Sequence, residues 1–301
     1  MTQDDARHKR NTSRRQVLVA GGAAVAVVGA GGVLASNALG EESPAKAKPK
    51  APEGGAGETC YRLSTEAIEG PYYIDADQIR TDVTEDRKGV PLTLTIKVID
   101  SETCKPVRNA AVDIWHCDAL GVYSGYEAQG SALPSGMATD APPPEGGGDM
   151  HLEPTDNKTY LRGTWRTDSA GKVRFTSIFP GWYEGRAVHI HTKVHVDGKW
   201  TKGGYEGGRT CHTGQLYFEE EAVLAVAKEK PYSTSTVRRV TLPEDVIYDD
   251  SGATGGLLTL RYDKKRIAKG VAASITLGVD QDATNEGDEL ALPTTSPAPS
   301  A

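Results

Sequence analysis

The sequence lacks three signatures that would each point to a whole class of function. No basic stripe with interleaved aromatics runs along it, and the formal net charge is −7, so nucleic acid is not an expected partner. The acidity reads as a solubility feature. No Cys-x-x-Cys pair occurs among the four cysteines, which argues against a thiolate metal site. No glycine-rich dinucleotide fingerprint is present, so neither flavin nor nicotinamide is expected. Helical patterns are scarce as well, which points away from bundles and from alternating helix–strand folds.

Both ends of the 301-residue chain have little to bury. Residues 39–58 mix Pro, Ala, Gly and charge and read as a solvated linker, and residues 281–301 turn acidic and then Thr/Ser/Pro-rich, the pattern of a disordered tail. One domain over 59–280 remains, long enough for a core. Near the start, Arg14 and Arg15 precede an uncharged Ala/Gly/Val stretch that ends at a small-x-small site, Ser36-Asn37-Ala38. Residues 1–38 therefore resemble a twin-arginine export signal, and the protein is expected to be secreted in folded form. An uncleaved membrane tether is the alternative; stable membrane insertion after cleavage is not expected.

Export would give the cysteines a structural use, because four is an even count in an oxidising compartment. Three pairings are possible. Cys104 and Cys117 flank an apparent turn and strand, which favours a local Cys104–Cys117 bridge and leaves Cys60–Cys211 to close a long loop.

Short alternating stretches fill the middle of the chain: 91–99, 110–115, 160–165, 172–178, 188–194, 215–218, 257–262 and 273–277. Turn signals separate them. Residues 219–228, with acids first and lysine last, predict one short helix. The expectation is an all-β, antiparallel β-sandwich with long active-site loops. One stretch, 127–157, is too long and too Gly/Pro-rich for an ordinary connection and reads as a lid or a disordered loop.

His189-Ile190-His191 is the sharpest local signal. Alternate strand residues share a face at about 6.6 Å between Cα atoms, so both imidazoles can converge on one metal ion. His195 shares that face but would lie about 13 Å from His191 along an extended strand, too far for the same ion. His116, His151 and His212 have no partner at ligand spacing and read as structural or solvent-exposed. A Pro180-Gly181 turn projects Tyr183 beside the histidine strand, with Arg186 three residues before His189. Phenolate is a hard anionic oxygen, and with imidazoles it suits a hard trivalent iron.

Two longer runs sharpen this reading. Residues 161–191, LRGTWRTDSAGKVRFTSIFPGWYEGRAVHIH, and 106–123, PVRNAAVDIWHCDALGVY, resemble the intradiol ring-cleavage dioxygenases, which include catechol and protocatechuate dioxygenases. Residues 69–73, EGPYY, resemble a Gly-Pro-aromatic segment at that family's active-site mouth, which suggests Tyr72 as a substrate-binding residue. The resemblance covers roughly 60–220 and implies a prealbumin/transthyretin-like sandwich holding non-haem Fe(III) on Tyr123, Tyr183, His189 and His191. It further implies that Tyr183 leaves the metal when substrate binds and that Arg186 stabilises negative charge over the substrate. The expected activity is cleavage of a catechol-type ring with O2, between the two hydroxyl-bearing carbons, to a muconate-type diacid.

The chain departs from better-known members in two places. Only six residues separate Tyr183 from His189, which predicts a more open approach to the metal. The Tyr123–Tyr183 interval is lengthened by 127–157, so substrate preference does not transfer. The N-terminal helical region through which some catechol-cleaving members dimerise has no counterpart before residue 59, and oligomeric state stays open. Two other function classes compete: a non-catalytic, transthyretin-like secreted binding module, and a copper or zinc metalloprotein using the His-x-His pair.

Overall fold

The computed structural model describes residues 61–75, 78–132 and 152–287. The export-signal and linker segments, most of the 127–157 loop and the end of the tail lie outside the described residues.

Ten strands and one α-helix make up the described body. They are β1 (Pro91–Asp100), β2 (Ala111–Trp115), β3 (Arg162–Arg166), β4 (Lys172–Ile178), β5 (His189–Val196), β6 (Lys199–Trp200), β7 (Tyr205–Glu206), β8 (Arg209–Tyr217), α1 (Glu220–Val226), β9 (Thr259–Tyr262) and β10 (Val271–Val279). Two four-stranded sheets, ordered β4-β1-β10-β9 and β3-β2-β5-β8, form the sandwich, and β6-β7 is a small hairpin. The expected all-β sandwich with one short helix holds. One pairing differs from an all-antiparallel scheme: β1 and β10 run parallel in the middle of their sheet. Because these strands lie far apart in sequence, no local turn constrains their relative direction.

Strand alternation decides what faces what. Leu92, Leu94, Ile96 and Val98 on β1 share one buried cluster with Val112 and Ile114 on β2 and with Ile190, Val194 and Val196 on β5. The other face of the second sheet carries Asp113, Trp115, Arg162, Thr164, His189, His191, Lys193, His195, Gln215 and Tyr217, brought level by the strand register. That polar face is shielded by the leading segment. Ala67 N donates to Thr213 O at 2.9 Å, Gln215 Nε2 donates to Ile68 O at 3.0 Å, and Glu69 pairs with Lys193. A polar sheet face covered by chain can hold a charged site away from bulk water.

The cysteine expectation needs correction. Cys117 and Cys211 are free, buried thiols, so neither the Cys104–Cys117 nor the Cys60–Cys211 bridge forms. The reason is direction: Cys117 turns into an aromatic cluster beside Tyr123 and Tyr183, and Cys211 turns into the sandwich core. Cys104 is disulfide-bonded, and Cys60 lies outside the described residues. The folded body also extends beyond 280, since Asn285 N donates to Thr210 O at 2.9 Å and Gly287 O accepts from Glu69 N at 3.1 Å.

Candidate metal centre

Two loops and one strand build the site. After β2 the chain turns at Asp118, whose carboxylate accepts from Leu120 N at 2.8 Å and Val122 N at 3.1 Å. After β4 it turns at Pro180-Gly181, where Gly181 N donates to Asp118 O at 3.0 Å. These loops touch backbone to backbone. A Cβ on Gly181 would sit 2.5 Å from Ala119 O, and one on Gly121 (φ +87°) would sit 2.2 Å from Trp182 O. Only glycine permits that approach. It brings Tyr123, two residues past Gly121, and Tyr183, two past Gly181, to a ring separation of 5.7 Å.

β5 supplies the other half. His189 and His191 are buried, and their Nε2 atoms lie 3.0 Å apart. His189 Nδ1 meets Ala187 O at 2.7 Å. As donor to that carbonyl, Nδ1 carries the proton, and the Nε2 lone pair is left free. Tyr183 Oη lies 3.4 Å from His189 Nε2, and the Tyr123 ring lies 6.2 Å from His191. Tyr123 Oη and His191 Nδ1 are buried without a hydrogen-bond partner. Trp115 stacks on His191 at 4.8 Å and 11°.

Electrostatics favour neutral ligands in the metal-free protein. Burial, aided by the Arg186 charge, holds His189 below the ordinary imidazole value. Burial, the His189 ring and Arg186 do the same to His191. Burial pushes Tyr123 well above the ordinary phenol value, and pushes Tyr183 up to about 12 despite the lowering effect of Arg186.

This donor set fits a trivalent iron. Two bonds of about 2.1 Å meeting at about 90° put their ligand atoms about 3 Å apart, which matches the imidazole Nε2 separation. Two phenols are hard oxygen donors, and one of them is buried with no other partner. Among the described residues no group of three or more His, Cys, Asp or Glu is placed to hold a metal; an ion held here would take half its donors from tyrosine.

The remaining residues fall into place around it. Tyr72 stacks on Tyr123 at 4.4 Å and packs edge-on to Tyr183 at 6.1 Å. Arg186 is buried against Asp245, Gln215 and Tyr217. His195 shares the sheet face but pairs with Asp113 at 2.9 Å, beyond a bulge in β5, and takes no part in the site. His116 bonds Cys117 O and Ser177 Oγ, and His212 bonds Glu66. His151 lies outside the described residues. Sequence reasoning missed Trp115, Gln215, Tyr217, Asp245 and the close packing of Gly70, whose added Cβ would lie 3.3 Å from His191 Cε1. Strand alternation could have flagged Gln215 and Tyr217 as sharing the histidine face. Nothing local marks Asp245.

A family model described as Dioxygenase matches residues 68–138. Chlorocatechol 1,2-dioxygenase of Cupriavidus pinatubonensis is 29% identical over 179 residues, covering 52% of this chain and 55% of that protein. The protocatechuate 3,4-dioxygenase beta chain of Burkholderia cepacia is 29% identical over 144 residues, covering 46% and 48%. The chain thus spans about half the length of the curated relatives it matches. An intradiol ring-cleavage dioxygenase from Tetranychus urticae is 30% identical in sequence and aligns with a TM-score of 0.60 over 75% of this chain and 98% of its own. With that coverage on a solved relative, this chain belongs to the intradiol ring-cleavage dioxygenase family.

Proposed function

We propose that this protein is a secreted, non-haem Fe(III) dioxygenase that opens catechol-type rings between their two hydroxyl-bearing carbons, using O2, to give muconate-type diacids. The observation that carries the reading is the convergence of Tyr123, Tyr183, His189 and His191 at one buried point, with Tyr123 Oη lacking any other partner. Bound there, ferric iron would supply Lewis acidity to a chelated catechol and render its ring reactive toward dioxygen.

The side chains have separable tasks. His189, its Nδ1 proton fixed on Ala187 O, and His191, braced by Trp115, present neutral Nε2 lone pairs. Tyr183 Oη, deprotonated once iron is held, would be placed to take a proton from an incoming catechol hydroxyl. Tyr72, stacked on Tyr123, forms an aromatic wall against which a planar ring can lie. Arg186, buried beside Tyr183, donates N–H groups to negative charge that develops on the substrate during ring opening.

Oxygen uptake tests the reading directly. Iron-loaded protein is challenged with catechol, protocatechuate, hydroxyquinol and larger caffeoyl-type catechols, and products are read by ultraviolet absorbance. Stoichiometric O2 consumption with a muconate-type product is expected for at least one of them. Failure across the panel would favour the binding-module reading. Replacing Arg14 and Arg15 by lysine should strand the precursor in the cytoplasm if export proceeds as proposed.

A further inference from the structure

We infer that Asp245 is the positioning residue of this site, fixing the Arg186 guanidinium beside the tyrosines; its catalytic meaning rests on the dioxygenase reading above. Asp245 follows a one-turn helix, Leu242–Glu244, whose start is closed by a reciprocal Thr241–Glu244 capping box. Its side chain is fully buried. Both carboxylate oxygens are heavily used. Oδ2 accepts from Arg186 Nε at 2.9 Å and from Ala187 N at 2.7 Å. Oδ1 accepts from Arg186 Nη2 at 3.2 Å, Ile247 N at 2.9 Å and Tyr248 N at 3.1 Å.

The backbone donors Ile247 and Tyr248 anchor the carboxylate to its own turn, and Tyr248 packs on Tyr217 at 4.8 Å. Asp245 is therefore the fixed member and Arg186 the held one. A two-point contact through Nε and Nη2 sets the plane of the guanidinium as well as its position. Tyr217 Oη, 3.2 Å from Nη2, and the Gln215 side-chain oxygen hold the same nitrogen. The same carboxylate reaches the metal ligands by a second route. Ala187, whose N–H is on Asp245, offers its carbonyl to His189 Nδ1.

Stability alone is a weak reason to keep such a pair, because a buried ion pair gains little over well-packed apolar side chains. A fixed orientation is what an apolar replacement could not supply. Arg186 then acts as a directed donor, its charge balanced by Asp245, able to meet negative charge at one place.

The test uses Asp245→Asn, Arg186→Gln and the double variant, with two readouts. In the metal-free protein, the Arg186 Nε–H resonance, assigned by its loss in Arg186→Gln, should be protected from solvent exchange. Asp245→Asn should speed that exchange about tenfold or more. In iron-loaded enzyme, Asp245→Asn should lower kcat about tenfold or more while KM shifts by less than about threefold. The double variant should be no slower than Arg186→Gln alone, because the two residues act as one unit. Unchanged exchange, kcat within about twofold of wild type, or rate losses that multiply in the double variant would each overturn the inference. If the wild type opens no catechol, the dioxygenase reading falls, and the exchange measurement still decides whether Asp245 holds Arg186. Should Asp245→Asn fail to fold, Arg186→Lys probes the contact from the other side. Lysine cannot span both oxygens in one plane, so wild-type kcat from it would equally overturn the claim.

Discussion

Tyr123 and Tyr183 carry their protons in the metal-free protein, because burial opposes phenolate; His189 and His191 carry no extra proton, because burial opposes imidazolium. Iron bound as proposed would therefore displace phenol protons and no histidine protons. With protons released on loading, iron affinity would rise with pH. We predict that chelator competition between pH 6 and 8 shows a steep dependence, lowered by about one proton in Tyr183→Phe. Equal slopes for the two proteins would show that Tyr183 is not a ligand. Gly70 has a different task at the same scale. Its φ of +80° favours glycine, and an added Cβ 3.3 Å from His191 Cε1 would push that imidazole by a few tenths of an ångström. Gly70→Ala should cost about 1–3 kcal/mol in urea unfolding, with a loss of iron affinity alongside. A neutral result would show that this loop can move off the imidazole freely.

At the scale of elements, β5 works as a comb. His189 and His191 point to the Tyr123–Tyr183 end of one sheet face, and Lys193 and His195 point to the other end. Lys193 lies buried against Glu69 and over the Tyr73 ring at 4.4 Å. This pair pins the leading segment, and with it Tyr72, onto the site. Lys193→Met leaves the Glu69 carboxylate buried without its cation, so we predict a loss of about 3–5 kcal/mol by denaturant unfolding. Replacing Glu69 by Leu in the same chain should recover most of that loss. His195 belongs to another, half-buried pair with Asp113. Burial alone would raise the Asp113 carboxyl, but hydrogen bonds and charge from His195, with bonds from Thr164 and Tyr73, hold it below the usual carboxylate value. A carboxyl lowered on folding stabilises the fold above its unfolded value near 4, and this contribution vanishes as pH falls through the folded value. Asp113→Asn should therefore be less stable than wild type at neutral pH, with the gap closing on acidification below about pH 4. A gap that widens in acid would contradict the assignment.

Whereas the expected stretch 215–218 caught only the end of β8 (Arg209–Tyr217), which is buried nearly throughout, alternation made β1, β4 and β10 legible, since their burial follows period two. The β5 histidines were legible for the same reason. The β6–β7 hairpin was not, because two-residue strands are too short to show alternation. The cysteine pairing failed because spacing says nothing of which way a side chain turns. Asp245 stayed hidden because its role depends on a contact with Arg186 across 59 residues, and tertiary contacts of that range leave no local pattern.

For the whole molecule, the proposed metal would link fold and chemistry. Tyr123 and Tyr183 hang on two loops joined through Gly121 and Gly181, while both histidines stand on one strand. An ion bound by all four would tie those loops to the sheet. A ligand that binds only the folded chain stabilises it by mass action, so iron loading should raise Tm, and a strong chelator should lower it again. No helix among the described residues is long and apolar enough to cross a membrane.

The most direct measurement is metal analysis of purified protein together with its visible spectrum, for wild type and for Tyr123→Phe and Tyr183→Phe. We predict about one iron per chain and a broad tyrosinate-to-iron(III) band that weakens or shifts in each variant. A fully metallated wild type that is colourless, or that carries copper or zinc on His189 and His191, would contradict it.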